Sequence, residues 1–274
     1  MQTTLRFALL CLLCTLSALP AAAANAVLLG WNNLGMHCMD SDYSVFSILP
    51  PYNTIEAQLV IGGHLVTSAG GYTVTYQAIA DPSGSINRTS ANKGNFYDFT
   101  DRLYAPLQVD KGLAGWGMPG SANTPIGMLF ENNNSPAAGV STPVDWFRAE
   151  GIPLTPYDDA GRKNPYPMMR LVARDGANNI VATSDIVLPV SDEMDCRLCH
   201  GLDRSAAAAP SAGWVHDPNP ERDYRLNILR LHDERRNPAT WPGLLSANGF
   251  NPQGLYASVV TDNHPVLCAK CHAS

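Results

Sequence analysis

Short runs of β-branched and aromatic residues recur along the first two thirds of the chain, each closed by a cluster of turn formers. Residues 27–31, 55–61 and 72–79 are such runs, and Asp81-Pro82-Ser83-Gly84 punctuates the third. Farther on, residues 168–173 and 180–190 flank Arg174-Asp175-Gly176-Ala177-Asn178-Asn179. This pattern predicts a hairpin that leads straight into Cys196. Between these runs, residues 80–165 are rich in Gly, Pro, Asn and Ser and show little periodicity. The expected architecture over 26–190 is therefore a mostly β domain, sandwich-like with long loops.

The texture changes near Ser191. Residues 206–209 with Pro210 read as a connecting loop. Asn219 then supplies a helix cap with Pro220 at the first helical position, and an amphipathic run continues to Arg236 before Asn237-Pro238 stops it. On that helix Tyr224, Ile228, Leu231 and His232 share one face by the i, i+4, i+7, i+8 rule. Residues 191–274 are thus expected to be a small helix and loop region.

The first 24 residues read as a secretory signal: one basic residue, Arg6, an uncharged apolar run over 7–19, then Pro20 and the small-residue stretch 21–24. That apolar run is shorter than the roughly 20 residues of a permanent span. Cleavage fits after Ala24 or Ala26, and a lipoprotein signal does not fit, because both Cys11 and Cys14 follow Leu. The expected location is periplasmic or extracellular.

Only 15% of the residues are charged, against a usual quarter or so, which argues against a helical bundle laced with ion pairs. With 18 basic and 24 acidic residues the net charge is -6, and -7 once Arg6 is removed. No basic stripe suggests nucleic acid. The negative balance instead suits protein partners with a basic docking face.

Of seven cysteines, two fall in the signal, leaving Cys38, Cys196, Cys199, Cys268 and Cys271. Four of these form Cys196-Arg197-Leu198-Cys199-His200 and Cys268-Ala269-Lys270-Cys271-His272, both C-x-x-C-H, the attachment motif of c-type haem. Two thiols at that spacing reach two vinyl groups on one porphyrin edge, and the following His becomes the proximal iron ligand. One shared zinc would place the pairs roughly 15–20 residues apart, far less than the gap here. Disulfides suit an oxidising compartment, but neither alternative explains a His after both pairs. The expected cofactor is haem c, two per chain, with His200 and His272 proximal.

The sixth iron positions draw on the remaining histidines. His232 is best placed, on the apolar side of a helix lying between the motifs; a packed core histidine is the competing reading. His216 and His264 are further candidates or surface residues, and Met194 ranks below them. His64, after Gly62-Gly63, reads as solvent-facing. Two bis-His irons would pass electrons and bind small molecules poorly. Separately, Met36, His37, Cys38 and Met39 crowd soft or borderline ligands into four residues, suited to copper or haem iron. A loop packing its sulfurs inward, or a disulfide from Cys38, are the alternatives.

The stretches WNNLGMHCMDSDYSVFSILPPYNTIEAQLV (31–60), YRLNILRLHDE (224–234) and VLCAKCH (266–272) resemble a group of exported bacterial multihaem c-type cytochromes. Those proteins run longer, with further C-x-x-C-H motifs and an extra cysteine downstream, so this chain looks like a C-terminally truncated member. The resemblance implies electron transfer and names no substrate. The leading expectation is an exported cytochrome moving electrons between redox partners. An oxidoreductase with an open haem position or a Met36 to Met39 metal site is the alternative, and a β-sandwich binding module that docks to a partner or surface glycan is the third.

Overall fold

The computed structural model describes residues 25–132, 145–192 and 196–272; the signal segment and Met194 lie outside the described residues. In chain order the strands are β1 (Ala26–Asn32), β2 (His37–Cys38), β3 (Phe46–Ser47), β4 (Asn53–Ile61), β5 (His64–Leu65), β6 (Thr73–Ile79), β7 (Ile126–Gly127), β8 (Leu129–Glu131), β9 (Trp146–Ile152), β10 (Met168–Arg174), β11 (Ile180–Val187), β12 (Val190–Ser191) and β13 (Val266–Leu267). The helices are α1 (Phe96–Leu103), α2 (Arg197–His200), α3 (Pro220–Glu234), α4 (Trp241–Ala247) and α5 (Leu255–Val260). The described chain is mostly β, with few helices.

Two antiparallel sheets share one core. The first has the order β1-β4-β9-β8, with β5 hairpinned onto β4; the second has the order β11-β10-β6-β7. Alternation explains the inward faces: Phe147 and Ala149 on β9, Val74, Tyr76 and Ala78 on β6, Met169, Leu171 and Ala173 on β10 are all buried. Gly30 lets β1 approach the second sheet, since a methyl there would overlap Leu171 Cδ1 and sit 3.1 Å from Ile186 Cγ2. Buried Tyr76 donates its hydroxyl to the Gly117 carbonyl at 2.7 Å, so its polar end is satisfied.

The expected runs at 27–31, 55–61, 72–79 and the 168–190 hairpin all form strands. The described residues of the stretch 80–165 hold more structure than their composition suggests. They include β9, in which Phe147 and Ala149 are buried between half-buried Arg148 and Glu150, and α1, whose Phe96, Thr100 and Leu103 bury one face at i, i+4, i+7.

A second core is built by Val215, Leu226, Leu229, Leu245, Phe250, Leu255, Val259 and Val266, together with Val45 and Phe46. Packing therefore does not follow the sequence change at Ser191, because residues 45–46 belong with the C-terminal part. Helix α3 starts as the cap predicts: the Asn219 side chain accepts the Glu221 N–H at 2.9 Å and Pro220 opens the helix. It ends at Glu234, two residues short of Arg236. Its deeply buried residues are Tyr224, Arg225, Leu226, Asn227 and Leu229, whereas Ile228, Leu231 and His232 are half-buried. The helix is covered on more than one side, by α2 and α5, so a single apolar stripe under-describes it. Among the described residues no helix is long and apolar enough to cross a membrane.

Candidate haem sites

Both C-x-x-C-H motifs hang from one loop. Strand β12 pairs in parallel with β2 shortly before Cys196, and β13 pairs in parallel with β3 immediately before Cys268. The anchoring bonds are His37 N–H to Pro189 O at 3.0 Å, Met39 N–H to Ser191 O at 2.8 Å and Val266 N–H to Val45 O at 2.9 Å. Asp40 closes the loop between them: its N–H donates to Leu49 O, and its Oδ2 accepts the N–H groups of Ile48 at 2.8 Å and Leu49 at 3.0 Å.

The Met36 to Met39 segment is therefore occupied as scaffold. His37 Nε2 lies 2.8 Å from the Pro50 carbonyl and 3.2 Å from the Tyr52 amide, so the main chain engages that nitrogen. Burial pushes the His37 pKa down, against the hydrogen bond to Pro50, and favours the neutral ring. Met39 is buried in the sheet core and Met36 is 43% exposed, while Cys38 is a half-buried free thiol. Among the described residues no group of three or more His, Cys, Asp or Glu is placed to hold a metal ion.

The two motifs adopt the same turn. In the first, the N–H groups of Cys199 and His200 reach back to Cys196 O at 3.2 and 2.9 Å; in the second, those of Cys271 and His272 reach Cys268 O at 3.2 and 3.0 Å. One helical turn brings the two thiols of each pair to one side and swings the histidine beside the first cysteine. No disulfide joins the described cysteines.

At the second motif this turn opens onto an apolar cavity of about 90 Å3, walled by Phe46, Ile48, Leu229, Trp241, Phe250, Leu255 and Val266 together with Cys268, Cys271, His232 and His272. His232 faces His272 across it, ring centres 6.2 Å apart and planes at 85°. Two rings meeting one ion from opposite sides, each nitrogen about 2 Å from it, would have centres about 6 Å apart, and the observed separation matches that span. Trp241 flanks His232 at 5.4 Å and is itself held by its indole N–H to Asp233 Oδ1 at 3.0 Å. Asp233 also accepts the N–H groups of Leu255 and Tyr256, both at 2.9 Å. A side chain on Gly254, at φ 143°, would collide with that carboxylate.

The chemistry of these groups fits a prosthetic group with an apolar body. His232 Nδ1 is buried with no hydrogen-bond partner, an arrangement that costs about 1–3 kcal/mol unless a ligand offsets it. Burial pushes the His232 pKa down, helped by Arg236, which keeps the ring in the neutral form that coordinates metals. Burial also pushes the Cys268 thiol up to about 12, with the Asp40 charge adding to it.

The first motif is similarly built but more open. His200 Nδ1 is buried and unpartnered, and burial with the Arg235 charge lowers its pKa. Leu198 is 76% exposed, an apolar side chain left bare beside the two thiols. Unlike His272, His200 has no facing histidine ring among the described residues. His216 is exposed, and so is His64. His264 stacks on Phe250 at 5.5 Å, tilted 34°, and does not line the cavity. Of the candidate distal ligands among the described residues, only His232 is brought to a motif histidine.

No protein-family model and no curated protein matches the chain. What sequence reasoning missed is the wall. Phe46 and Ile48 come from the far N-terminal segment, and only the apolar dipeptide Val266-Leu267 before Cys268 hinted that a strand would dock them there.

Proposed function

We propose that the chain is an exported c-type cytochrome that carries two covalent haems and passes electrons between redox partner proteins. The observation that carries this reading is the His232–His272 pair, spaced for one shared metal across an apolar cavity that also presents Cys268 and Cys271. When bound, haem supplies a one-electron ferric–ferrous couple. Cys196 with Cys199, and Cys268 with Cys271, would anchor it by thioethers; His200 would hold the iron at the first site, and His272 and His232 at the second, where Trp241 and the Asp233 clasp position His232. The apolar wall excludes water. Partners with a basic face suit the acidic chain.

A pyridine haemochrome assay on the purified chain is expected to give two haems c, and one after Cys268→Ser with Cys271→Ser. Fewer than two in the parent chain overturns the reading. One observation favours a second reading, an oxidoreductase acting on a small molecule at the first site: His200 has no histidine facing it among the described residues. A high-spin ferric signal that cyanide abolishes supports that reading; low-spin spectra at both irons remove it.

A further inference from the structure

We propose that a line of alternating charges, Arg197–Glu221–Arg225–Asp40, exposed at Arg197 and buried at Arg225 and Asp40, joins the two haem sites and sets their reduction potentials. The inference rests on the haem reading above and names the residues that tune it.

The chain begins inside the first motif, where Arg197 Nη1 donates to Glu221 Oε1 at 2.8 Å. Glu221 Oε2 accepts Arg225 Nη1 at 2.8 Å and the Ser41 hydroxyl at 2.6 Å, and Arg225 Nη2 donates to the same hydroxyl oxygen at 3.1 Å. Arg225 and Asp40 share no hydrogen bond and act on each other only through their charges; beyond Asp40, its Oδ2 accepts the Ser47 hydroxyl at 3.3 Å, and Ser47 is the cross-strand partner of Leu267, the residue before Cys268. The guanidinium of Arg225 also lies over Tyr224 at 4.5 Å and over Phe46 at 5.7 Å, and Phe46 walls the cavity of the second motif.

The middle of this chain is deeply enclosed, with Arg225 2% and Asp40 1% exposed. Arg225 Nε and Asp40 Oδ1 have no hydrogen-bond partner. Buried ions are expensive, and a well-packed apolar pair of similar volume is often at least as stable. These two sit where each contacts the scaffold of a motif, so stability alone is a poor reason for them. Charge in such a medium acts strongly on a nearby iron, because screening is weak. A carboxylate favours the ferric state and lowers the potential; a guanidinium favours the ferrous state and raises it.

The test is a spectroelectrochemical titration of the full haem-loaded chain at pH 8, with dithionite supplying one electron per iron as ferric becomes ferrous. Burial pushes Asp40 up to about 6, against its main-chain N–H donors and Arg225, so the carboxylate is ionised at that pH. Asp40→Asn is expected to raise the midpoint of one haem about tenfold in reduction equilibrium, 59 mV for one electron, with a smaller rise at the other. Arg225→Met is expected to shift midpoints the opposite way, and Arg225→Lys to leave them near the parent values, which keeps the test usable if the Met variant does not fold. A merely structural role predicts lower Tm with unmoved potentials, since Asn retains an acceptor for Ile48 and Leu49. Two haems with unmoved midpoints in Asp40→Asn overturn the charge chain alone, whereas a parent chain without haem overturns the function on which it rests.

Discussion

His232→Ala separates the two candidate distal histidines of the second site by a spectroscopic count. The ring of His232 stands 6.2 Å from that of His272, while His264 lies against Phe250 and outside the cavity. Removing the His232 imidazole takes one nitrogen ligand from one iron, so the high-spin ferric share rises by one iron per chain and cyanide uptake by one equivalent. The thermodynamic cost is small: the lost ring contact with Trp241 at 5.4 Å is worth about 0.5–1.5 kcal/mol, and removing an unpartnered buried nitrogen offsets part of it. His264→Ala loses a comparable contact, to Phe250, and is expected to leave the spectrum unchanged. Ferric EPR and cyanide titration of both variants measure the count. If His232→Ala leaves the spin state of the parent chain intact, or if His264→Ala changes it, the assignment of the ligand is wrong.

Other substitutions test the fold that holds the sites. Gly30→Ala presses a methyl into Leu171 and Ile186 and should destabilise by about 1–3 kcal/mol in urea unfolding; an unchanged midpoint contradicts the close approach of the sheets. Asn219→Ala removes the cap of α3 and should cost about 1 kcal/mol by the same assay. Although burial opposes it, Asp158 is held down at about 2 by the N–H groups of Ala160 and Arg162, the Arg162 guanidinium and the Ser85 hydroxyl. Because its folded pKa lies below the ordinary 3.8, its stabilisation is present above about pH 4 and lost as pH falls through about 2. Asp158→Asn should flatten that limb of a stability profile against pH, and an identical acid limb refutes the linkage.

Strands were legible wherever the residues alternate or cluster as β-branched runs, and the hairpin of β10 and β11 follows from its polar connector. Strand β9 was equally legible in principle, since Phe147 and Ala149 alternate with Arg148 and Glu150; its setting among Gly, Pro and Asn residues hid it. The shared turn of the two motifs is a local property, set by the thiol spacing and the following histidine. Which histidine is brought beside a motif histidine is not local. It depends on α3 packing on α5 and α5 on β13, and on residues 45–48 crossing from the β part of the chain to pair with β13. The crowded Met36 to Met39 run suggested metal ligation by composition, but its strand pairing with residues 190–191 and the main-chain bonds of His37 give it a scaffolding role. Nothing in the helix pattern announces the buried guanidinium of Arg225, which lies over Tyr224 and Phe46.

The central claim is covalent haem on both motifs, and intact-mass spectrometry of the exported chain under denaturing conditions tests it most directly. The account predicts a mass equal to the processed polypeptide plus two haem groups, both retained after acid–acetone extraction. A mass equal to the polypeptide alone, with all five remaining cysteines free to alkylate, contradicts it.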